Sequence, residues 1–221
     1  MAGMEQNDID AVISLLREEY RTWRKPAVTI IAECGHDPFK VLVSCIISLR
    51  TKDEVTALAS ARLFARADSP EKMQDVPVEE ISRLIYPAGF YRNKAQQIRT
   101  ISRQLAAEYS GVVPDQIDEL LKFKGVGRKT ANLVVTLGFG KPGICVDTHV
   151  HRICNRWGYV TTKTADETEQ VLRGRLPPEY WIEINDLLVA FGQNHCHPVS
   201  PRCTTCRVAA FCQRVGVQKF R

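Results

Sequence analysis

Four thiols crowd one short stretch of this chain. Cys196, Cys203, Cys206 and Cys212 stand at C-x6-C-x2-C-x5-C within "CHPVSPRCTTCRVAAFC", half of the eight cysteines in 221 residues. Thiolates gathered this closely form a ligand set for a metal. Zinc favours paired C-x2-C knuckles, and only one such pair is present. An iron–sulfur cluster accepts a compact, asymmetric set. In both cases the ligated group keeps net negative charge. The tail offsets it: no acidic side chain follows Asp186, while Arg202, Arg207, Arg214, Lys219 and Arg221 do. His195 and His197 flank the first cysteine and are expected as neighbours of the metal group or exposed side chains rather than ligands.

A second constellation is "DELLKFKGVGRKTANLVVTLGF". A helix is expected to end near Phe123, a Gly-Val-Gly turn to follow, and a new helix to start near Arg128. Glycine lets a backbone come close to a ligand, and a helix start offers unpaired N–H groups at a positive dipole end. Together these make a phosphate seat, with Arg128 and Lys129 adding charge. A tight turn with two solvated bases is the alternative. The spacing is not that of a Walker loop. Arg128 stays charged and can only grip phosphate. Lys129, beside a helix N-terminus and another cation, can serve as an amine nucleophile and form a Schiff base.

A third is Asp147 in "ICVDTHVHRICNRW", ahead of a helical stripe of Val150, Ile153, Cys154 and Trp157. An N-cap carboxylate contributes about 1 kcal/mol. A fixed, partly buried one can also stabilise a developing cation or take up a proton.

The elements that must hold these groups read as helices almost throughout. Asp37-Pro38 is an N-cap with proline at the first helical position, ahead of the all-round apolar "FKVLVSCIISL". Thr51 with Glu54, and Thr164 with Glu167, have capping-box spacing. Val55, Leu58, Ala59 and Leu63 form one stripe; Tyr91, Ala95, Ile98, Ile101 and Leu105 form another, which stops near Gly111. Prolines 70, 77, 114 and 178 mark helix starts. About ten helices and no strand are expected. Cys34, Cys45, Cys145 and Cys154 sit in apolar settings and read as small buried side chains.

Composition narrows the class. The apolar share of 44% is that of a globular protein. No apolar run reaches the roughly 18 residues of a membrane span, and the N-terminus lacks the basic and apolar regions of a signal peptide. The cysteines are therefore expected reduced or metal-bound, in a cytoplasmic setting (nucleoid-associated in a prokaryote). A net charge of +5 favours a polyanionic partner.

"GVGRKTAN", "VDTHVHR", "GFYRNKA" and the cysteine tail, in this order, resemble the endonuclease III branch of the helix–hairpin–helix DNA glycosylases, over nearly the whole chain from Pro38 to Cys212. The resemblance implies an all-α fold of two helical domains with a DNA-binding cleft between them. A six-helix barrel with the hairpin would span 31–141. A discontinuous iron–sulfur cluster domain would comprise 1–30 and 142–221. It implies a nucleophilic Lys129, a catalytic Asp147, and a [4Fe–4S] cluster on Cys196, Cys203, Cys206 and Cys212. DNA contacts would come from Gly125, Val126, Gly127, Arg128, Thr130, His149 and Arg202. Phe90 would wedge into the base stack and Arg50 would fill the gap left by the extruded base.

The implied activity is removal of oxidised pyrimidines of the thymine glycol type from double-stranded DNA, followed by β-elimination at the abasic site, by a monomer with no membrane partner. The chain departs from the family pattern at "FKG" for "LPG", at Phe90 for leucine and at Arg50 for glutamine; the last bears on the choice of opposite base. Two alternatives stand beside this one. A monofunctional mismatch glycosylase on the same scaffold is disfavoured by lysine at 129. A non-catalytic DNA-binding module would leave Lys129 and Asp147 without a purpose.

Overall fold

A computed structural model describes residues 8–221. Among them every regular element is a helix. The chain divides into two compact units, one of residues 27–143 and the other of the remaining N-terminal segment with 144–221. The boundaries expected at 30/31 and 141/142 differ slightly. The first would cut a helix, Ala27–Glu33, which packs on the helices Pro38–Ser48 and Asp53–Arg66 of its own unit. Residues 1–7 of the expected 1–30 segment lie outside the described residues. No helix among the described residues is long and apolar enough to cross a membrane.

The larger unit is built around one buried helix. After α1 (Asp8–Tyr20) and α2 (Ala27–Glu33), α3 (Pro38–Ser48) starts where expected. Asp37 accepts from the Phe39 and Lys40 N–H groups, and Pro38 opens the first turn. Val41, Leu42, Val43, Cys45, Ile46 and Ile47 of α3 are all buried. Such a helix needs neighbours on every side. It has α2, α4 (Asp53–Arg66), α7 (Tyr91–Glu108), α9 (Arg128–Leu133) and a π-helical segment, Val134–Gly138. The short helices α5 (Pro70–Gln74) and α6 (Val78–Ile85) pack on α7, and α8 (Ile117–Leu120) packs on α9. The stripe of α7 is buried as read, with Tyr91 half-exposed.

Four expectations fail here. Thr51 does not cap α4, which starts at Asp53 with Lys52 as an N-cap that makes no side-chain bond. The Thr51 hydroxyl is committed to other partners. The α4 core face is Thr56, Ala59, Ser60 and Leu63, while Leu58 is 63% exposed. Cys34 is exposed, because it follows the last turn of α2 rather than lying within it. Of the four prolines, Pro70 and Pro178 open helical turns and Pro77 caps α6, but Pro114 precedes an extended segment before α8.

The smaller unit joins α1 to α10 (Thr148–Trp157), α11 (Ala165–Arg175) and α12 (Ile184–Asn194). Ile9, Val12, Ile13 and Leu16 repeat at helical spacing and enter one core with Ile144, Trp157, Leu172 and Phe191. Arg17 pairs with Glu183, and the Tyr180 hydroxyl donates to Asp10 at 2.7 Å. Thr164 caps α11 through the Glu167 N–H, and the Glu167 carboxylate closes the box on the Lys163 N–H at 2.8 Å. Beyond α12 and Cys196 come two single turns, Cys203–Thr205 and Ala209–Phe211, closed by Cys206 and Cys212.

Candidate active site and metal centre

The hairpin forms at the expected residues, although α8 ends at Leu120 rather than near Phe123. Phe123 is buried against Tyr109, with ring centres 5.4 Å apart. The departure from the family's leucine is therefore absorbed by the core, and Lys124 is exposed. Gly125 has φ +82°, a left-handed backbone that favours glycine. Its approach to α7 is close: the Gln97 side-chain amide donates to the Lys124 carbonyl at 3.1 Å. Gly127 caps α9 with open space where a side chain would be. Val126 and Thr130 turn inward, at 6% and 3% exposure. A ligand can meet them only through the backbone.

Arg128 and Lys129 lie half-buried in the first turn of α9. The helix that carries Lys129 packs on α3; burial pushes the Cys45 thiol of α3 up to about 12, and the Lys129 charge acts against that shift. The α3–hairpin arrangement thus holds the lysine at the start of a helix with a buried apolar wall beside it.

Asp147 caps α10 as the sequence suggests. Its Oδ1 accepts from the His149 N–H at 2.8 Å and from the Val150 N–H at 3.0 Å. The side chain is fixed by these bonds, and the residue is 9% exposed. A carboxylate held this way keeps its orientation when charge develops nearby. His149, expected as a DNA contact, faces Arg152: its Nδ1 lies 3.2 Å from Nη2 of Arg152, which also donates to the Cys196 carbonyl at 2.9 Å. Arg202 is exposed at the rim of the cysteine pocket.

Cys196, Cys203, Cys206 and Cys212 line one pocket together with Arg156, Trp157, Phe191, His195 and Arg214. Arg156 donates to the Cys196 Sγ at 3.4 Å and to the His197 and Pro198 carbonyls, each at 2.6 Å. The Arg214 N–H donates to the Cys212 Sγ at 3.4 Å. As thiols, Cys206, Cys212 and Cys203 are all pushed up by burial, Cys206 to about 12. The His195 ring stacks on Phe191, and its buried Nε2 has no hydrogen-bond partner. Among the described residues no three His, Cys, Asp or Glu side chains converge on one ion position. Four thiols ringing a shared space, with a guanidinium and a main-chain N–H donating to two of the sulfurs and an orphaned ring nitrogen in the wall, fit a group held by thiolates.

The Arg50 and Phe90 turns lie side by side in the larger unit. Phe90 is 60% exposed and Arg50 is exposed. The two line a common pocket with Leu49, Asn93, Lys94 and Gln97. Lys94 and Gln97 carry no signal in the sequence, and Thr51 reads there only as half of a capping box. Their partners are mostly main-chain oxygens of segments distant in sequence, which leave no pattern to read.

The family described as "HhH-GPD superfamily base excision DNA repair protein" matches residues 43–178. Endonuclease III of Thermotoga maritima is 48% identical over 177 residues, covering 80% of this chain and 83% of its own length. Endonuclease III of Bacillus subtilis is 39% identical over 186 residues, covering 82% and 85%. Among solved structures, a non-covalent endonuclease III–DNA complex superposes with a TM-score of 0.84 at 32% identity, covering 96% of both chains. A trapped endonuclease III–DNA covalent intermediate superposes with a TM-score of 0.83 at 31% identity, covering 96% of this chain and 97% of that one. The chain belongs to the HhH-GPD superfamily of base excision DNA repair proteins, as a DNA glycosylase and abasic-site lyase of the endonuclease III type.

Proposed function

We propose that the chain removes oxidised or ring-saturated pyrimidines, of the thymine glycol type, from double-stranded DNA and then cuts the strand through a Schiff base on Lys129. The observation that carries this reading is the position of Lys129, in the first turn of the helix that follows the Gly125–Gly127 hairpin. A damaged base inside the stack must first be extruded, at a cost of a few kcal/mol. The hairpin backbone and Arg128 grip the phosphates, while Phe90 and Arg50 occupy the space the nucleotide leaves.

The Lys129 amine then attacks C1′. The C1′–N bond breaks with its electron pair going to the base, which takes a proton from water as it leaves. Asp147 stabilises the positive charge that builds on the sugar, much as a carboxylate does in glycoside hydrolysis, and takes up the proton the amine releases. Ring opening gives an imine between Lys129 and C1′. The imine acidifies the C2′ hydrogen; its loss and departure of the 3′ phosphate complete β-elimination, and water returns the amine. In the smaller unit Cys196, Cys203, Cys206 and Cys212 would hold a [4Fe–4S] cluster, which staples a segment with few large apolar side chains. Action as a monomer in the cytoplasm belongs to the same reading.

Incubation of the protein with a thymine glycol duplex, with and without borohydride, tests it. A trapped covalent adduct that disappears in Lys129→Ala, with binding to DNA retained, is the expected result. Base release without an adduct would assign the chain to the monofunctional reading instead.

A further inference from the structure

Lys94 sits in the first turn of α7, directly after the Phe90 turn, and is 5% exposed. Its ammonium donates to the Ile47 carbonyl at 2.7 Å, the Leu49 carbonyl at 2.5 Å and the Thr51 Oγ1 at 2.9 Å. A lysine ammonium has three N–H donors and no acceptor, so these three oxygens satisfy it. Two of them belong to the C-terminal end of α3, where carbonyls are left unpaired and the helix dipole is negative. Thr51 Oγ1 also accepts from the Gly89 N–H at 3.1 Å. A Cβ at Gly89 would lie 2.5 Å from the Arg50 carbonyl oxygen, so glycine alone allows the two turns to close on each other.

An ammonium is costly to remove from water, and burial pulls Lys94 down to about 8. Arg92 and Asn93, its neighbours in the same turn, stay exposed. The desolvated cation fastens the turn that carries Arg50 to the turn that carries Phe90.

We infer that Lys94 is a positioning residue for base extrusion, clasping the Arg50 and Phe90 turns so that both side chains enter the duplex as one wedge. This rests on the assignment of Arg50 and Phe90 to the vacated base position. A clasp that merely held the fold would serve every step alike. A clasp for the wedge serves the step in which a base must leave the stack, and matters far less at a site that has already lost its base.

The test uses the full chain with Lys94→Met, which keeps the length of the side chain and removes its donors. Single-turnover excision of thymine glycol is compared with β-elimination at an abasic site prepared beforehand. Excision should fall by roughly tenfold to a hundredfold, the scale of a small misplacement of positioning groups, while β-elimination changes by less than about threefold. A 2-aminopurine stacked beside a non-cleavable thymine glycol analogue should lose most of the fluorescence rise that wild type produces. Should Lys94→Met fail to fold, Thr51→Val, which removes only the shared hydroxyl, must show the same split in smaller degree. Equal losses in the two steps, or undiminished excision, would overturn the inference. A wild type that neither excises nor cleaves would overturn the functional reading beneath it, and this inference with it.

Discussion

The guanidinium carbon of Arg50 lies 5.5 Å from the centre of the Phe90 ring, and both residues hold a left-handed backbone, with φ of 51° and 56°. Left-handed turns at two non-glycine residues are uncommon, and each costs of order 1–3 kcal/mol unless its surroundings enforce it. Here the two strained turns face each other, and cation–π attraction joins their tips. The Arg50 guanidinium is therefore held over the Phe90 ring.

Opposite-base preference follows from that placement. Arginine offers only donors, and guanine presents the richest acceptor edge, O6 with N7. Lesions opposite guanine should be processed at least as well as those opposite adenine. Arg50→Gln should narrow the difference by ~1–3 kcal/mol for a bidentate contact. Single-turnover excision of one lesion opposite each of the four bases measures this. Profiles that move in parallel, with only salt dependence altered, would make Arg50 a phosphate contact.

Asp147→Asn separates capping from chemistry. Asparagine accepts the His149 and Val150 N–H bonds as well as aspartate does, so urea unfolding should shift by less than about 0.5 kcal/mol. Loss of a preorganised charge should nevertheless slow base excision by roughly a hundredfold or more. Excision close to the wild-type rate in a variant of unchanged stability would leave Asp147 as an N-cap and nothing else.

Cys203→Ser should lose iron, lose the broad absorption of the purified protein in the blue-visible region, and melt its C-terminal region at lower temperature. Metal analysis alongside the optical spectrum provides the check. A colourless wild type with stoichiometric zinc would contradict the cluster and leave the glycosylase chemistry untouched.

Gly125→Ala places a Cβ on a left-handed backbone, at a cost of roughly 1–2 kcal/mol, and 2.6 Å from the Gln97 amide nitrogen. The amide can swing aside, but its bond to the Lys124 carbonyl is then lost. Affinity for an undamaged duplex should fall with the hairpin, and the slope of log K against log salt should flatten if a phosphate contact disappears. An unchanged slope would remove Gly125 from the DNA-contacting set.

Much of this site can be read directly from the sequence, because the relevant physics is local. Asp37, Asp147 and Thr164 cap the helices their spacing announces, and the α7 stripe is buried where its period places it. The exceptions share one cause. Thr51 and Glu54 have the spacing of a capping box, yet the Thr51 hydroxyl accepts from Gly89 and Lys94, residues far along the chain. Lys94 reads as an ordinary surface lysine because its partners are carbonyls, and every residue has one. Leu58 fits a helical stripe in α4, but the neighbouring helices cover a different face of it. The chemistry assigned to Lys129 and Asp147 was legible only through family likeness, since a lysine after a turn and an aspartate before a helix are each common.

Synthesis of this chain runs against the wiring of its smaller core. The apolar stripe of α1 (Ile9, Val12, Ile13 and Leu16) shares its core with residues that follow Gly143, among them Ile144, Trp157, Leu172 and Phe191. At the usual pace of translation that is a wait on the order of ten seconds. Throughout it, residues 27–143 can assemble on contacts already delivered, while an amphipathic helix dangles ahead of them with its greasy side uncovered. α1 is thus made before residues 27–143 but gains its core only once the chain beyond Gly143 has been delivered, so its apolar stripe stays uncovered in the interval.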